Sequence, residues 1–570
     1  MRQIDVRKIV EGKNPNLFKH YPAFIKTLIY KFLARLLKIA EINKILAQHG
    51  DVRGLEFIDH AFEFLDFSFD LSSKDRVRIP YEGKLICVAN HPLGALDAFA
   101  VLKAIGEIRQ DVKIVANDIL LNIDNLKELF LPFDLFSQKP QKDRIKGIGE
   151  ALLNDEAVIF FPAAEVSRLS LRGIQDKPWL RGPVHFARKF NAPILPIFVK
   201  GRNSYLFYLV SMLYKPLSMF LLAREIFRKR HKTIILRIGD PIPETIFKSD
   251  FVSIKEQTKM LRRHVYGLRK KKTVFRTEKT IIHPIPARTL KEEMTRAKLL
   301  GHNGETKKLY LAECAAAPNC VKEIGRLREV TFRKVGEGTG GSVDLDEFDK
   351  YYKHIVLWDD VDLSIVGSYR LGLCSEILEN HGLNGLYISS LFTFHPAFIE
   401  LLPNAVELGR SFIRQKYWRS NALDALWQGI GAFLNLNPSV RWLYGAVSIS
   451  DNYSEAAKDL IVHYYRKWYG GPADWVSSRN RYFISKNSEK EIEELLNGGS
   501  LESEFMQLKA NLKTLGYAVP VLFRRYAELC RPEGVRFLDF GVDRNFSNCV
   551  DGLILLDLTQ LKPKVKERYF

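Results

Sequence analysis

The sequence predicts an α/β protein of two domains, each a mixed or parallel sheet flanked by helices. Three observations carry this expectation. Short apolar runs alternate with stretches of helical period through the first half, the pattern of layered sheets with crossover helices. A second, more strand-rich series follows in the second half. The chain has 570 residues, too many for one hydrophobic core.

The first half reads in order. Phe24 to Leu46 places Phe24, Ile25, Leu28, Ile29, Phe32, Leu33, Leu36 and Leu37 on one stripe, with Lys26, Lys31, Arg35 and Lys38 off it. That is a basic amphipathic helix, able to lie in a membrane interface or to pack on a core. Leu85 to Ala89 is a buried strand that breaks at Asn90-His91-Pro92, with Gly94 in the turn and Asp97 opening a helix. Val112–Ala116 is a strand and Ile145–Leu153 a helix. Ala157–Phe161 is a strand ending at Pro162-Ala-Ala-Glu165-Val-Ser167-Arg168. A helix follows near Gly182–Phe190, then a strand over Ala192–Lys200. Tyr205 to Ala223 is apolar but interrupted at Lys215-Pro216, so it is a membrane-dipping segment or a buried helical hairpin. No uninterrupted apolar run reaches spanning length.

Sites on such sheets gather where strands end, which would let the loops of His91 and Glu165 meet. A carboxylate beside a histidine fixes its tautomer and stabilises the imidazolium, so His91 with Asp97 can draw a proton from a hydroxyl. Taken alone, the pair is also compatible with an ordinary turn and helix start. Arg168 suits an anionic group bidentately or a surface ion pair. Glu165 is either a site residue or a partner for a nearby cation such as Arg172.

Arg269 to Lys272 is a run of four cations, and Pro284 and Pro286 follow it. The joint is expected between residues 270 and 285, giving domains 1–270 and 291–570 with 271–290 as linker. Beyond it, a helix precedes Gly325–Phe332. Gly336–Ser342 lacks the ending of a phosphate-binding loop, and Asp344, Asp346, Glu347 and Asp349 do not fit a calcium loop. Ile355–Trp358, Ser364–Arg370, Leu386–Ser390 and Ala405–Phe412 read as strands. Ala422–Leu434 reads as a helix, Arg441–Ser448 as a strand and Ser454–Tyr469 as a helix.

Hydrophobic residues make up 46% of the chain, so it is globular, and the formal net charge of +20 asks for an anionic partner. No nucleic-acid motif is present, which leaves an anionic membrane surface or an acidic carrier protein. The six cysteines are scattered and form no metal-ligand pattern, so no metal is expected and a reducing, cytoplasmic compartment is the simplest account.

Several segments resemble known families. Asn90-His91-Pro-Leu-Gly94-Ala-Leu-Asp97 is similar to the His/Asp box of glycerolipid acyltransferases, in the longer-spaced variant of the hemolysin-like lysophospholipid acyltransferases. Phe161–Arg168 resembles the box that binds the acceptor's head group, although Ala-Ala-Glu-Val stands where Glu-Gly-Thr is usual. Trp179–Gly182 and Pro193–Val199 resemble later elements, and the likeness spans roughly residues 70 to 245. It implies O-acyl transfer, with His91 as base and Asp97 as its orienter. Amides near Gly94 would serve the oxyanion, and Asn90, Glu165, Ser167 and Arg168 would bind substrate.

Leu327-Arg328…Phe332, Asp344…Asp349, Val366–Arg370, Glu407-Leu-Gly-Arg410-Ser-Phe412 and Val519…Asp557 resemble a GNAT-type acyltransferase, in the branch of acyl-homoserine-lactone synthases and aminolipid N-acyltransferases. This implies amide formation with Glu407 as base or amine-positioning group. Asp344 and Asp349 would bind an α-amino group, and Arg370 and Arg410 a carboxylate or a carrier's phosphate. The usual coenzyme-A pyrophosphate loop is missing, and Arg414–Arg419 stands in its place. That favours acyl carrier protein over coenzyme A as the carrier of the acyl thioester, with no bound cofactor.

The combination resembles the bifunctional ornithine-lipid synthases. It implies N-acylation of ornithine, or a similar amino acid, with a 3-hydroxyacyl group by the second half. O-acylation of the resulting hydroxyl by the first half would follow, at the cytoplasmic face of the inner membrane. The alternatives are a lysophospholipid acyltransferase with a degenerate second half, and a non-catalytic membrane-binding protein.

Overall fold

The computed structural model describes residues 5–7, 21–116, 123–132, 142–170, 173–213, 215–249 and 251–569. The chain divides into two compact units, Met1–Thr280 and Ile281–Phe570. Each is α/β, as the alternation of patterns predicts.

The first unit has strands β1 (Phe67–Asp70), β2 (Leu85–Ala89), β3 (Val112–Ala116), β4 (Phe130–Pro132), β5 (Ala157–Phe160), β6 (Arg168–Ser170), β7 (Gly173–Gln175), β8 (Ile194–Lys200) and β9 (Lys232–Ile238). Seven form one sheet in the order β1-β9-β8-β2-β5-β3-β4, and β6 with β7 makes a small hairpin. The sheet is parallel except where β8 meets β9. Central β2 is buried at every position because both of its faces are covered. Its residues alternate between two cores. Leu85, Cys87 and Ala89 join the core under helix Ala95–Gly106. Ile86 and Val88 join the one under Lys142–Leu153, Gly182–Phe190 and Ile254–Gly267.

The amphipathic stretch expected as one helix is two, Ala23–Leu36 and Ile39–Gln48, broken where Lys38 takes a φ of 56°. Helices Tyr205–Leu213 and Lys215–Arg228 form a hairpin, with Tyr214 outside the described residues. No helix among the described residues is long and apolar enough to cross a membrane.

The second unit has β10 (Lys298–Asn303), β11 (Lys307–Glu313), β12 (Lys353–Asp359), β13 (Ser364–Leu373), β14 (Phe392–Phe394), β15 (Ala405–Ile413), β16 (Trp442–Ile449), β17 (Val476–Ser478), β18 (Val535–Asp543) and β19 (Cys549–Asp557). Eight form a sheet in the order β10-β11-β12-β13-β15-β16-β19-β18, and β14 pairs with β17. Its one parallel pair, β15 with β16, joins only Ala405, Val406 and Glu407 to Trp442, Leu443 and Tyr444; beyond these rungs the strands part. Helix Ala422–Asn435 lies between them in sequence, the crossover a parallel pair needs.

The strand expected over Leu386–Ser390 is instead a 3-10 turn, Tyr387–Ser390. Leu386 and Ile388 are both buried, and a tight turn that buries alternate residues imitates the period of a strand.

Candidate functional site

In the first unit the chain leaves β2 at Ala89 and turns before helix Ala95–Gly106. Asn90 holds the start of that turn. Its side-chain amide donates to Val199 O at 2.9 Å and accepts from Val199 N at 2.7 Å, so it is pinned to β8. Gly94 sits at φ 96°, where an L side chain is strained. Asp97, in the first turn of the helix and fully buried, accepts from Leu93 N at 2.7 Å and lies 3.0 Å from His91 Nδ1. With Nδ1 engaged, Nε2 is left to meet a substrate proton. His91 is 18% exposed, and its ring packs 4.4 Å from that of Phe161. Burial alone would depress the imidazole, but the Asp97 carboxylate, with Asp176 beyond, raises its pKa above the ordinary value. Leu93 N is already bound to Asp97, so an oxyanion would have to be met by the free amides at the N-terminus of helix Ala95–Gly106.

The strand end after β5 does come to this loop. Ser167 N donates to His91 O at 2.7 Å. The buried Ser167 hydroxyl donates to Asp176 Oδ1 at 2.5 Å rather than pointing outward. Asp176 is the residue sequence reasoning missed. Besides Ser167 it accepts from His91 N at 3.3 Å and from Trp179 Nε1 at 2.9 Å, so it ties three segments around the dyad. Glu165 lies 3.2 Å from Lys177 and 3.8 Å from Arg168; Arg172 lies outside the described residues. Arg168 donates to Ser211 and, at 2.7 Å, to Ser218, one residue on each arm of the helical hairpin, and stacks over Phe207 at 5.2 Å. This links the His91 loop to the hairpin.

In the second unit the expected charged residues converge on a buried lattice. Arg328 meets Asp349 at 2.8 Å, and Arg370 meets Asp346 at 2.7 Å and Asp349 at 3.4 Å. Arg410 lies 3.9 Å from Asp344 and 4.0 Å from Asp346. Burial opposes the charges of Asp349, Arg370 and Arg410, and their partners overcome it. Asp349 is held well below the usual carboxylate range by Arg328 and Arg370, while His354 is driven down to about 3 by burial and then by Arg328. Asp346, which lies between the predicted acids Asp344 and Asp349, is a further member. The side chains of Arg370 and Arg410 also lie over the ring of Tyr387, at 4.9 and 5.1 Å. Among the described residues Arg370 Nη2 and Arg410 Nε have no hydrogen-bond partner.

Glu407 stands apart from this lattice. It is buried; Oε1 accepts from Tyr352 OH at 3.1 Å, and Oε2 from Tyr444 OH at 3.0 Å and Ile388 N at 3.3 Å. Burial pushes its carboxyl up to about 7. Glu407 thus joins Tyr352, just before β12, to Tyr444 of β16. The Arg414–Arg419 segment includes the 3-10 turn Gln415–Tyr417, tied to Asp362 through Lys416 and Tyr417.

Comparison with known proteins agrees with the two halves. Residues 8–274 match a family described as acyltransferase, and residues 327–428 match the acetyltransferase (GNAT) domain. A glycine N(alpha)-acyltransferase of Phocaeicola vulgatus is 30% identical over 302 residues, which is 51% of this chain and 92% of that protein. A lyso-glycine lipid O-acyltransferase of Bacteroides thetaiotaomicron is 32% identical over 251 residues, 43% of this chain and 90% of that protein. Among crystal structures, a 1-acyl-sn-glycerophosphate acyltransferase of Thermotoga maritima is 18% identical, covering 44% of this chain and 94% of that chain, with a TM-score of 0.25. The chain belongs to this acyltransferase family: it carries an acyltransferase domain and a GNAT domain on one polypeptide, and it is an enzyme that transfers acyl groups.

Proposed function

We propose that the protein makes a diacylated aminolipid in two steps. The second unit joins a 3-hydroxyacyl group to the α-amino group of ornithine. The first unit then esterifies the 3-hydroxyl with a second acyl chain. The observation that carries the O-transfer step is the His91–Asp97 pair at 3.0 Å, with the ring partly exposed. His91 Nε2 takes the hydroxyl proton, the oxygen attacks the acyl thioester, and the imidazolium returns its proton to the thiolate that leaves. The N-transfer step is supported by the GNAT match and by a relative named for N-acylation. There Arg370 and Arg410 offer cationic donors to a carboxylate or a carrier phosphate, Asp344 and Asp349 hold them in place, and Glu407 fixes the tyrosines behind them. The acyl donor is a thioester on acyl carrier protein, an acidic partner for a chain of net charge +20.

The acceptor is amphiphilic, and the first unit has a face to suit it. Phe24, Leu28 and Phe32 on one helix, and Tyr205, Leu209, Met212 and Leu213 on another, are exposed. Lys26, Lys31 and Arg35 stand beside the first group, the composition of a surface that rests on anionic lipid. Arg168 joins the hairpin to the catalytic loop.

Expression in a host without aminolipids, followed by mass spectrometry of the lipid extract, tests the proposal. A new diacylated ornithine lipid is expected. Its absence from cells holding folded, membrane-bound protein would sink the proposal. Glycine is the second reading, favoured by the names of the two relatives, and the mass of the head group decides between them.

A further inference from the structure

In the second unit a cavity of about 320 Å³ opens between the turn at 390–392, the segment 478–480 and the end of β18. Its lining carries both signs of charge: Asp543 and Asp551, Arg479 and Arg544, with Ser390 and Ser478. The sheet explains why the carboxylates share it. Asp551 of β19 is the register partner of Gly541 of β18, and Asp543 follows two residues later, so both acids project from one face. A side chain at 541 would collide with Ser478 Oγ, 2.0 Å from where a Cβ would stand, and glycine lets the 478–480 segment close the cavity wall.

The two acids are incompletely served. Asp551 accepts from Ser448 Oγ at 2.7 Å. Asp543 accepts from Asn545 N at 2.8 Å and, at 3.5 Å, from Tyr387 OH. Arg410 is the cation whose charge favours ionised Asp551, yet it is shared with Asp344 and Asp346. The neighbouring lattice matches three arginines to three aspartates; here, among the described residues, neither Asp543 nor Asp551 makes an ion pair, although Arg479 and Arg544 share the lining. Burial pushes Asp551 up to about 7, Asp543 adding to it, and burial with Asp551 pushes Glu337 up to about 8. Buried acids without an ion-pair partner favour a cationic ligand.

We propose that this cavity seats the amine acceptor and that the acceptor is an amino acid with a second ammonium group on its side chain. The α-amino group faces Asp551, the acid closer to β16 and Arg410. The side-chain ammonium faces Asp543, one strand further out. The carboxylate faces Arg479 and Arg544. The volume lies at the lower end of small-ligand sites, which suits a free amino acid. This assignment rests on the N-acyl transfer reading of the unit.

The test is isothermal titration of the full chain with ornithine, glycine and norvaline, the last having ornithine's carbon chain without its terminal ammonium. Ornithine is expected to bind the wild-type protein at least about tenfold tighter than norvaline, the yield of one hydrogen bond to a charged partner. D543N should erase that ratio while leaving norvaline unchanged, and R544Q, at an exposed position, should weaken all three alike. Equal binding of ornithine and norvaline by the wild type overturns the proposal without recourse to any variant; so does a folded D543N that keeps the preference. N-acyl product from a 3-hydroxyacyl thioester, measured on the same samples, separates the two levels. Product formed with no preference for ornithine sinks the pocket and leaves N-acyl transfer standing. Ornithine binding that depends on Asp543, with no product from any amine, sinks the transfer reading and leaves the pocket.

Discussion

The two units solve the handling of charge in opposite ways. Around His91 a single titratable ring is poised by the buried carboxylate of Asp97, with that of Asp176 beyond, and the ring remains partly open to solvent. Around Arg370 and Arg410 the charges are buried and paired, and Arg328 and Arg370 hold Asp349 in its ionised form. Under the proposed function, the first arrangement moves a proton; the second holds a shape and presents fixed charge to a ligand. The difference teaches that acyl transfer to a hydroxyl and to an amine place different demands on a fold. A hydroxyl must be activated, which asks for a base. An amine is already nucleophilic once deprotonated, so positioning carries more of the load.

The sharpest way to break this contrast is His91→Ala. O-acyl transfer should fall by roughly 10²- to 10⁴-fold while N-acyl transfer continues, so mono-acylated lipid accumulates in the mass spectrum. Equal loss of both products would mean the sites are not separate. Next comes Arg370→Ala, which strands buried carboxylates and should cost about 3–5 kcal/mol. The loss should appear in the calorimetric unfolding of the second unit with O-acyl transfer intact; an unchanged melting profile would show that the lattice is not structural.

Glu407→Gln probes the same unit through pH. The folded carboxyl sits near 7 against an ordinary 4.5, so the fold binds a proton more readily than the unfolded chain. That stability is fully present below pH 4.5 and is lost as pH rises through 7, a change of about 3 kcal/mol. The substitution should therefore flatten the dependence of Tm on pH between 5 and 8. A slope equal to that of the wild type would remove Glu407 as its source.

The smallest expected effect is Asp176→Asn. Asp176 helps to raise the His91 pKa, and the base works in its neutral form. The acid limb of the O-acylation pH profile should move to lower pH, with the plateau reduced only a few-fold. A fall in the plateau with the limb fixed would make Asp176 a purely structural tie. The sign for stability runs the same way: the raised imidazole stabilises the fold at low pH, and that contribution is lost as pH rises through its folded value.

Much of this was legible in the chain because local chemistry carried it. The strand into Asn90-His91-Pro92 and the helix opening at Asp97 are readable from period and turn residues, and the charged residues of the second half from their resemblance to the GNAT pattern. Asp176 was not. It lies between a short hairpin and Trp179, and only the fold brings it to His91. The 3-10 turn at Tyr387 escaped for the reverse reason, because buried Leu386 and Ile388 reproduce the alternation of a strand. Lys38 shows a third limit: hydrophobic spacing continues straight across the point where the backbone turns left-handed and the helix ends.

The hairpin of β18 and β19 has a consequence in time. Its acids meet Arg410 and Tyr387 only after β19 has docked on β16, closing a loop that spans Trp442 to Asp557. His91, Asp97, Ser167 and Asp176 are gathered from residues 91–176, a shorter stretch. Closure over longer contour is slower, so the second site is a late product of its unit's folding. Refolding from denaturant should restore O-acylation first and N-acylation after a lag, and simultaneous recovery would refute this order.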